Sequence, residues 1–212
     1  MNTANYTKCW LDYKELPEAQ KKACFYYPVL MTGGKVADTA GEEYCTSMAQ
    51  LLGEPVELLG EAFEEPGVYM EVDPELEVPG CEGALAFQTF MISEEEGSMI
   101  ITGKSEEALL QGVFAFVRMV YLEELDAKLP YRFTPTMPLR IMNHWDDMNG
   151  GIERGYSGQS FFYEDYKMFY NDRIEMYARL MASIGTNAIV INNVNVHEKE
   201  TYLITDVYLD MV

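Results

Sequence analysis

Apolar positions along this chain recur in two ways, and the two patterns outline its elements. Leu109, Val113, Phe116, Val117 and Val120 fall at i, i+4, i+7, i+8 and i+11, the stripe of an amphipathic helix. Ser105 can cap that helix, and Glu106 and Glu107 stand in its first turn, where the dipole favours anions. A second stripe of Val36, Ala40, Tyr44, Met48, Leu51 and Leu52 ends at Gly53, a residue suited to a helix C-terminus. The third, Ile174, Tyr177, Ala178, Met181 and Ile184, follows a capping Asn171 and stops at Gly185. A short polar helix is also expected over residues 17–22.

Elsewhere the spacing is that of strands. Residues 9–13, 25–30, 55–59 and 68–72 are predicted strands, with Pro28 placing the second at an edge or end. Residues 84–92 and 98–102 read as a β-hairpin around the polar turn Ser-Glu-Glu-Glu-Gly. Two later runs are apolar almost without interruption. Leu139, Ile141 and Met142 lead into Asn143, His144, Trp145, Asp146 and Asp147, and residues 187–191 lead into Asn192, Asn193, Val194 and Asn195. Continuous apolar strands that end in polar clusters are the pattern of a parallel sheet buried on both faces. With the helix at 172–184 between them, they are expected to pair in parallel through a right-handed crossover.

This layout predicts an α/β chain in two parts. Residues 1–130 form an α+β, sandwich-like domain with an antiparallel or mixed sheet and helices, residues 131–138 a Pro-rich linker, and residues 139–212 a strand-helix-strand unit. In a (β/α)8 barrel such strand ends carry the chemistry, but that fold takes ~250 residues. Residues 139–212 are therefore expected to be the N-terminal part of a (β/α)8 barrel, incomplete at Val212.

Composition narrows the function. A chain that is 48% hydrophobic and 13% aromatic is not wholly disordered. No apolar run approaches the ~20 residues of a membrane helix, and the N-terminus lacks a basic stretch followed by an apolar one. The expectation is a cytoplasmic protein with no membrane partner. Asp and Glu outnumber Lys and Arg by 35 to 15, giving a net charge of −20, so nucleic acid is not an expected partner. Cys9, Cys24, Cys45 and Cys81 form no CxxC pair and read as free thiols. His144 and His197 are the only histidines, which supplies a metal site or a Ser-His-Asp triad poorly.

Residues 138–162, PLRIMNHWDDMNGGIERGYSGQSFF, and 177–205, YARLMASIGTNAIVINNVNVHEKETYLIT, resemble glycoside hydrolase family 67, the α-glucuronidases. Residues 92–120 resemble the end of that family's N-terminal domain. The resemblance implies a barrel enzyme that removes (4-O-methyl)glucuronic acid from the α-1,2 link to xylo-oligosaccharides with inversion. It implies no cofactor and no metal, and a possible homodimer of the full-length enzyme. An acid and a base must stand ~6.5–9.5 Å apart in such an enzyme, and the likeness places both beyond Val212, so this chain by itself is expected to be inactive. On the same ground Trp145 packs against the sugar and Val194 lies near its 4-O-methyl group, while Asp146, Asn192 and Asn193 are candidate sugar ligands by their polar side chains. Each has an ordinary structural alternative: rim packing for Trp145, space-filling for Val194, loop fixing for Asp146 and the asparagines. His144, Glu153 and Arg154 are read as structural. Two other classes fit the same residues, a non-catalytic carbohydrate-binding or interaction module and a hexosaminidase-like glycosidase.

Overall fold

The computed structural model of the chain describes residues 11–21, 27–60, 66–168 and 170–191. They divide into two compact units, Met1–Pro138 and Leu139–Val212.

The first unit is built on a five-stranded mixed sheet. In chain order it contains helix α1 (Glu18–Lys21), strand β1 (Pro28–Leu30), helix α2 (Lys35–Leu52), strands β2 (Val68–Val72), β3 (Phe90–Glu95) and β4 (Ser98–Gly103), helices α3 (Glu106–Tyr121) and α4 (Leu125–Lys128), and strand β5 (Tyr131–Phe133). Strand order is β1-β2-β4-β3-β5. β1, β2 and β4 run parallel, and β3 is antiparallel to both β4 and β5. Register aligns Val68 with Met99, and Met70 with Ile101 and through it with Ile92, on one face. Those residues share a single buried cluster with Tyr44, Met48 and Leu51 of α2 and Leu109, Val113, Phe116 and Val117 of α3. The stripes read from the sequence are thus the inner faces of the two long helices. Gly103 lets α3 begin close against β4, since a Cβ there would lie 2.2 Å from the backbone nitrogen of Leu109.

Helix ends follow local chemistry. Ser105 Oγ accepts from the Ala108 N–H at 3.2 Å, and Gly53 closes α2 in the left-handed conformation at φ 73°. The start of α2 has no cap of its own, because Gly34 lacks a side chain. Glu106 supplies it from α3: its Oε2 accepts from the N–H groups of Val36 (2.9 Å) and Ala37 (3.0 Å). One carboxylate in the first turn of α3 satisfies two orphan donors of another helix.

Several sequence expectations are corrected by the structure. Of the strand expected at 9–13, Cys9 and Trp10 lie outside the described residues, and the rest is coil with Leu11 buried. The stretch 55–59 makes one bridge, Leu59 to Val29, because its partner β1 is a three-residue edge strand. Residues 84–88 are not strand but part of a 3-10 turn, Gly83–Gln88, entered through Gly83 at φ 65°. The hairpin proper is β3–β4, closed by Glu96 and Gly97, both at positive φ, as a two-residue turn matched to strand twist requires. Within the expected linker, Tyr131–Phe133 is the edge strand β5, since the prolines at 130 and 135 flank three residues whose N–H groups remain able to pair.

In the second unit, strand β6 (Ile141–Asn143) is followed by the short hairpin β7 (Tyr163–Glu164) and β8 (Lys167–Met168), helix α5 (Asp172–Ser183) and strand β9 (Ala188–Val190). β6 and β9 pair in parallel, as expected. Asn187 and Arg140 clamp the start of both strands, Arg140 N–H to Asn187 Oδ1 at 2.8 Å and Asn187 N–H to the Arg140 carbonyl at 3.0 Å. Asn171 Oδ1 caps α5 through the N–H groups of Arg173 and Ile174. The expected burial of β6 is not found: Ile141 is 50% and Met142 40% exposed. Two three-residue strands and one helix cannot enclose both faces of an apolar pair.

Candidate functional site

At the C-terminal end of β6 the chain turns out of the sheet, and the His144 N–H, one residue beyond β6, donates to the carbonyl of Val190, the last residue of β9, at 2.7 Å. From there it enters a loop organised around a buried carboxylate. Asp146 is 2% exposed, and its Oδ1 accepts from Ser160 Oγ (2.6 Å) and the Phe161 N–H (2.8 Å). Ser160 Oγ in turn accepts from the N–H groups of Phe162 and Tyr163. Gly150, at φ 96°, makes the reversal that brings Ser160 back to Asp146, its carbonyl taking the Ser160 N–H at 2.7 Å. Buried polar groups are retained when their hydrogen bonds are made, and in this loop they join residues 146 and 160–163 into one knot.

His144 is fixed from two sides. Its Nε2 lies 2.5 Å from the Tyr177 hydroxyl and its Nδ1 3.8 Å from Asp146 Oδ2. The imidazole edge packs on Phe162 at 4.9 Å between ring centroids. Burial pushes the His144 pKa down, an effect the Asp146 charge opposes, and burial pushes that of Tyr177 up, with Asp146 adding to it. With the ring neutral, the tautomer that carries its proton on Nδ1, the nitrogen on the Asp146 side, leaves Nε2 to accept the Tyr177 O–H.

Between two immobilised neighbours stands Trp145, 43% exposed. It opens on a hollow of about 520 Å³ lined by Asn143, His144 and Trp145 from the strand end, Glu153 and Gln159 from the loop, and Arg173 from α5. The Glu153 N–H donates to the Trp145 carbonyl at 2.9 Å, and Ser157 Oγ donates to Glu153 Oε2 at 2.6 Å. Arg173 lies with its Cζ 4.1 Å from the centre of the Phe161 ring, a cation over an aromatic face. An exposed indole, an amide, a carboxylate and a guanidinium around one open hollow can take a ring with an apolar face and a polar rim, which is the chemistry of a pyranose.

Of the residues singled out by sequence, Trp145 and Asp146 are adjacent at this site, one presented and the other buried. Asn192, Asn193 and Val194 lie outside the described residues, and so does the Arg154 side chain. Reading the sequence missed the part played by Tyr177, whose place in a helical stripe marked it as core. A tyrosine in such a stripe still needs a partner for its hydroxyl, and that was the available signal. Arg173 and Gln159 carried no signal of their own.

Residues 119–212 match the model described as the glycosyl hydrolase family 67 middle domain. Over 206 residues the chain is 29% identical to alpha-glucuronidase A of Emericella nidulans, which takes in 89% of this chain and 24% of that protein. It is 37% identical over 123 residues to a probable alpha-glucuronidase A of Aspergillus fumigatus (58% of this chain, 14% of that protein). With the Aspergillus niger protein of the same description it shares 40% over 107 residues (50% and 13%). The chain therefore spans a quarter or less of the length of these curated relatives. Among solved structures, the fold is similar to a GH138 enzyme targeting pectin rhamnogalacturonan II, at TM-score 0.53 and 17% identity over 85% of this chain and 21% of that one. A family GH115 4-O-methyl-alpha-glucuronidase with specificity for decorated arabinogalactans gives 0.50 and 15% over 77% and 24%.

Proposed function

We propose that the chain, whose residues 119–212 match the glycosyl hydrolase family 67 middle-domain model, is a portion of an α-glucuronidase. That whole enzyme releases (4-O-methyl)glucuronic acid from xylo-oligosaccharides by hydrolysis of the α-1,2 link with inversion. β6, α5 and β9 are the first strand-helix-strand of its (β/α)8 barrel, and the Trp145 hollow is one wall of its sugar pocket. The observation that carries this reading is Trp145 itself, half-exposed at a parallel strand's C-terminal end, where barrel enzymes place their substrate contacts.

Inversion needs two opposed carboxyl groups, an acid that protonates the leaving oxygen and a base that activates water. The described lining of the hollow offers two acids, Asp146 and Glu153, and Asp146 is buried in its own loop. The catalytic pair accordingly comes from residues outside this stretch, and what this stretch supplies is binding. Its Trp145 covers an apolar sugar face and excludes water there. Asn192, Asn193 and Val194, which come after β9 in sequence and lie outside the described residues, are proposed as further sugar contacts, Val194 to the 4-O-methyl group.

The test compares the 212-residue chain with a longer polypeptide that includes a complete barrel, each with Trp145 and with Trp145→Ala, on a glucuronoxylo-oligosaccharide. The longer form is expected to release glucuronic acid and the chain to bind without turnover. Trp145→Ala is expected to reduce kcat/KM by about tenfold or more, the worth of ~1.4 kcal/mol of lost stacking. Glucuronic acid release by the chain alone, or unchanged kinetics in the longer Trp145→Ala enzyme, counts against the proposal. A non-catalytic carbohydrate-binding module differs in one outcome, binding without turnover in both forms.

A further inference from the structure

We propose that Glu153 is the hydroxyl-binding carboxylate of the Trp145 hollow, the group that hydrogen-bonds the ring hydroxyls of a pyranose seated on the indole. The inference rests on the proposed function of the hollow as a sugar site.

Three observations lead to it. The carboxylate that the sequence puts next to Trp145, Asp146, also lines the hollow but is 2% exposed and has Oδ1 occupied by Ser160 and Phe161, so little of it is open to a ligand. Glu153 is exposed, lines the hollow, and is tied to Trp145 through its own N–H and the Trp145 carbonyl. Its carboxylate is held by the Ser157 hydroxyl on Oε2, which leaves its direction set before any ligand arrives. Pre-orientation of this kind lowers the ordering cost of binding.

The third observation is backbone strain. Glu153 has φ 51°, in the left-handed region that an L side chain adopts at a cost. Glycines stand at 150, 151, 155 and 158 in the same loop, yet this left-handed position carries a glutamate. Of the described non-glycine residues at positive φ, Glu96 and Glu123 serve a hairpin and a helix end, and Asp165 and Tyr166 the β7–β8 turn; Glu153 is the one that lines the hollow. Strain kept at a ligand surface is a reason to look for a ligand contact there.

The chemistry suits a sugar. An ionised carboxylate only accepts, and its two oxygens can take two neighbouring hydroxyl groups in charge-assisted hydrogen bonds, about twice as strong as neutral ones. Arg173 stands on the α5 side of the hollow and Glu153 on the loop side. An anionic sugar on Trp145 is therefore turned with its hydroxyls toward Glu153 and its carboxylate away from it.

The experiment titrates the 212-residue chain with xylobiose and with D-glucuronate by isothermal calorimetry, for the wild type and for Glu153→Gly, Glu153→Gln, Ser157→Ala and Trp145→Ala. Glu153→Gly is expected to raise Tm by relieving the left-handed strain and to weaken both sugars about tenfold, two effects that a merely structural glutamate does not combine. Glu153→Gln is expected to weaken xylobiose more than D-glucuronate, because it also removes the repulsion between like charges. Ser157→Ala is expected to weaken both by a few-fold. Unchanged affinities in Glu153→Gly overturn the inference while leaving the sugar site standing. If Trp145→Ala binds as the wild type does, no pyranose is seated on the indole, and the stacking role and this inference fall together. A wild-type chain that responds to neither sugar overturns both.

Discussion

His144 shows how one side chain ties the site to solution conditions. It sits between Tyr177 and Asp146 with its pKa lowered by burial, so the folded state favours the neutral ring. The unfolded chain binds a proton at about pH 6.5, whereas the folded one binds it only at lower pH. Between those two values the unfolded state holds more protons, and stability rises with pH. What this residue contributes is complete above about pH 6.5 and is lost as pH falls through the lower folded value. A series of urea midpoints, read from tryptophan fluorescence, is expected to decline on acidification across this window and to flatten there in His144→Gln. A decline that is the same in wild type and variant assigns the titration to other groups.

Among the elements, α2 and α3 are coupled by more than apolar packing. Their stripes meet in one cluster with the sheet. Glu106 adds a polar joint, since the first turn of α3 caps the first turn of α2 across 70 residues of sequence. A Cβ at Gly34 would meet Glu106 Oε1 at 2.4 Å, so the glycine that leaves α2 uncapped also makes room for the carboxylate that caps it. Removing that carboxylate in Glu106→Ala is expected to destabilise the chain by about 1–2 kcal/mol, in the range of an ordinary N-cap loss. Glu106→Gln, which keeps one acceptor oxygen, is expected to lose less. The measurement is a denaturant midpoint with the slope checked for constancy. A change below about 0.3 kcal/mol in the alanine variant means that solvent caps α2 equally well.

At the scale of the whole molecule, two features oppose each other. A net charge of −20 keeps copies of the chain apart. Leu139, Ile141, Met142 and Ile189, on or beside a two-stranded parallel pair, are each 40% exposed or more and favour association. Salt screens the first and not the second, with a Debye length that falls from ~30 Å at 0.01 M to ~3 Å at 1 M. Molar mass by light scattering is expected to rise with salt between those limits, and Ile141→Thr with Ile189→Thr is expected to suppress the rise. A mass independent of salt in the unmodified chain tells against this balance.

The sequence by itself determined what depends on near neighbours. Stripes at i, i+3 and i+4 placed α2, α3 and α5, Ser105 and Asn171 marked the starts of α3 and α5, and continuous apolar runs marked β6 and β9 as a parallel pair. These are set by helix pitch, rotamers and local hydrogen bonds, all of which lie within a few residues. Contacts distant along the chain were decided only in the tertiary structure. Residues 131–133 read as linker because of the surrounding prolines, and became strand because β3 had an open edge to pair with. Residues 84–88 read as strand by composition, and a glycine at positive φ turned them into a 3-10 turn. Asp146 and Glu153 are both acids in one polar loop, and nothing in their spelling separates the buried one from the one on the hollow. The fold of that loop separates them, by bringing Ser160 to Asp146 and the Glu153 N–H to the carbonyl of Trp145, because a backbone reversal and not a sequence period sets which carboxylate meets solvent.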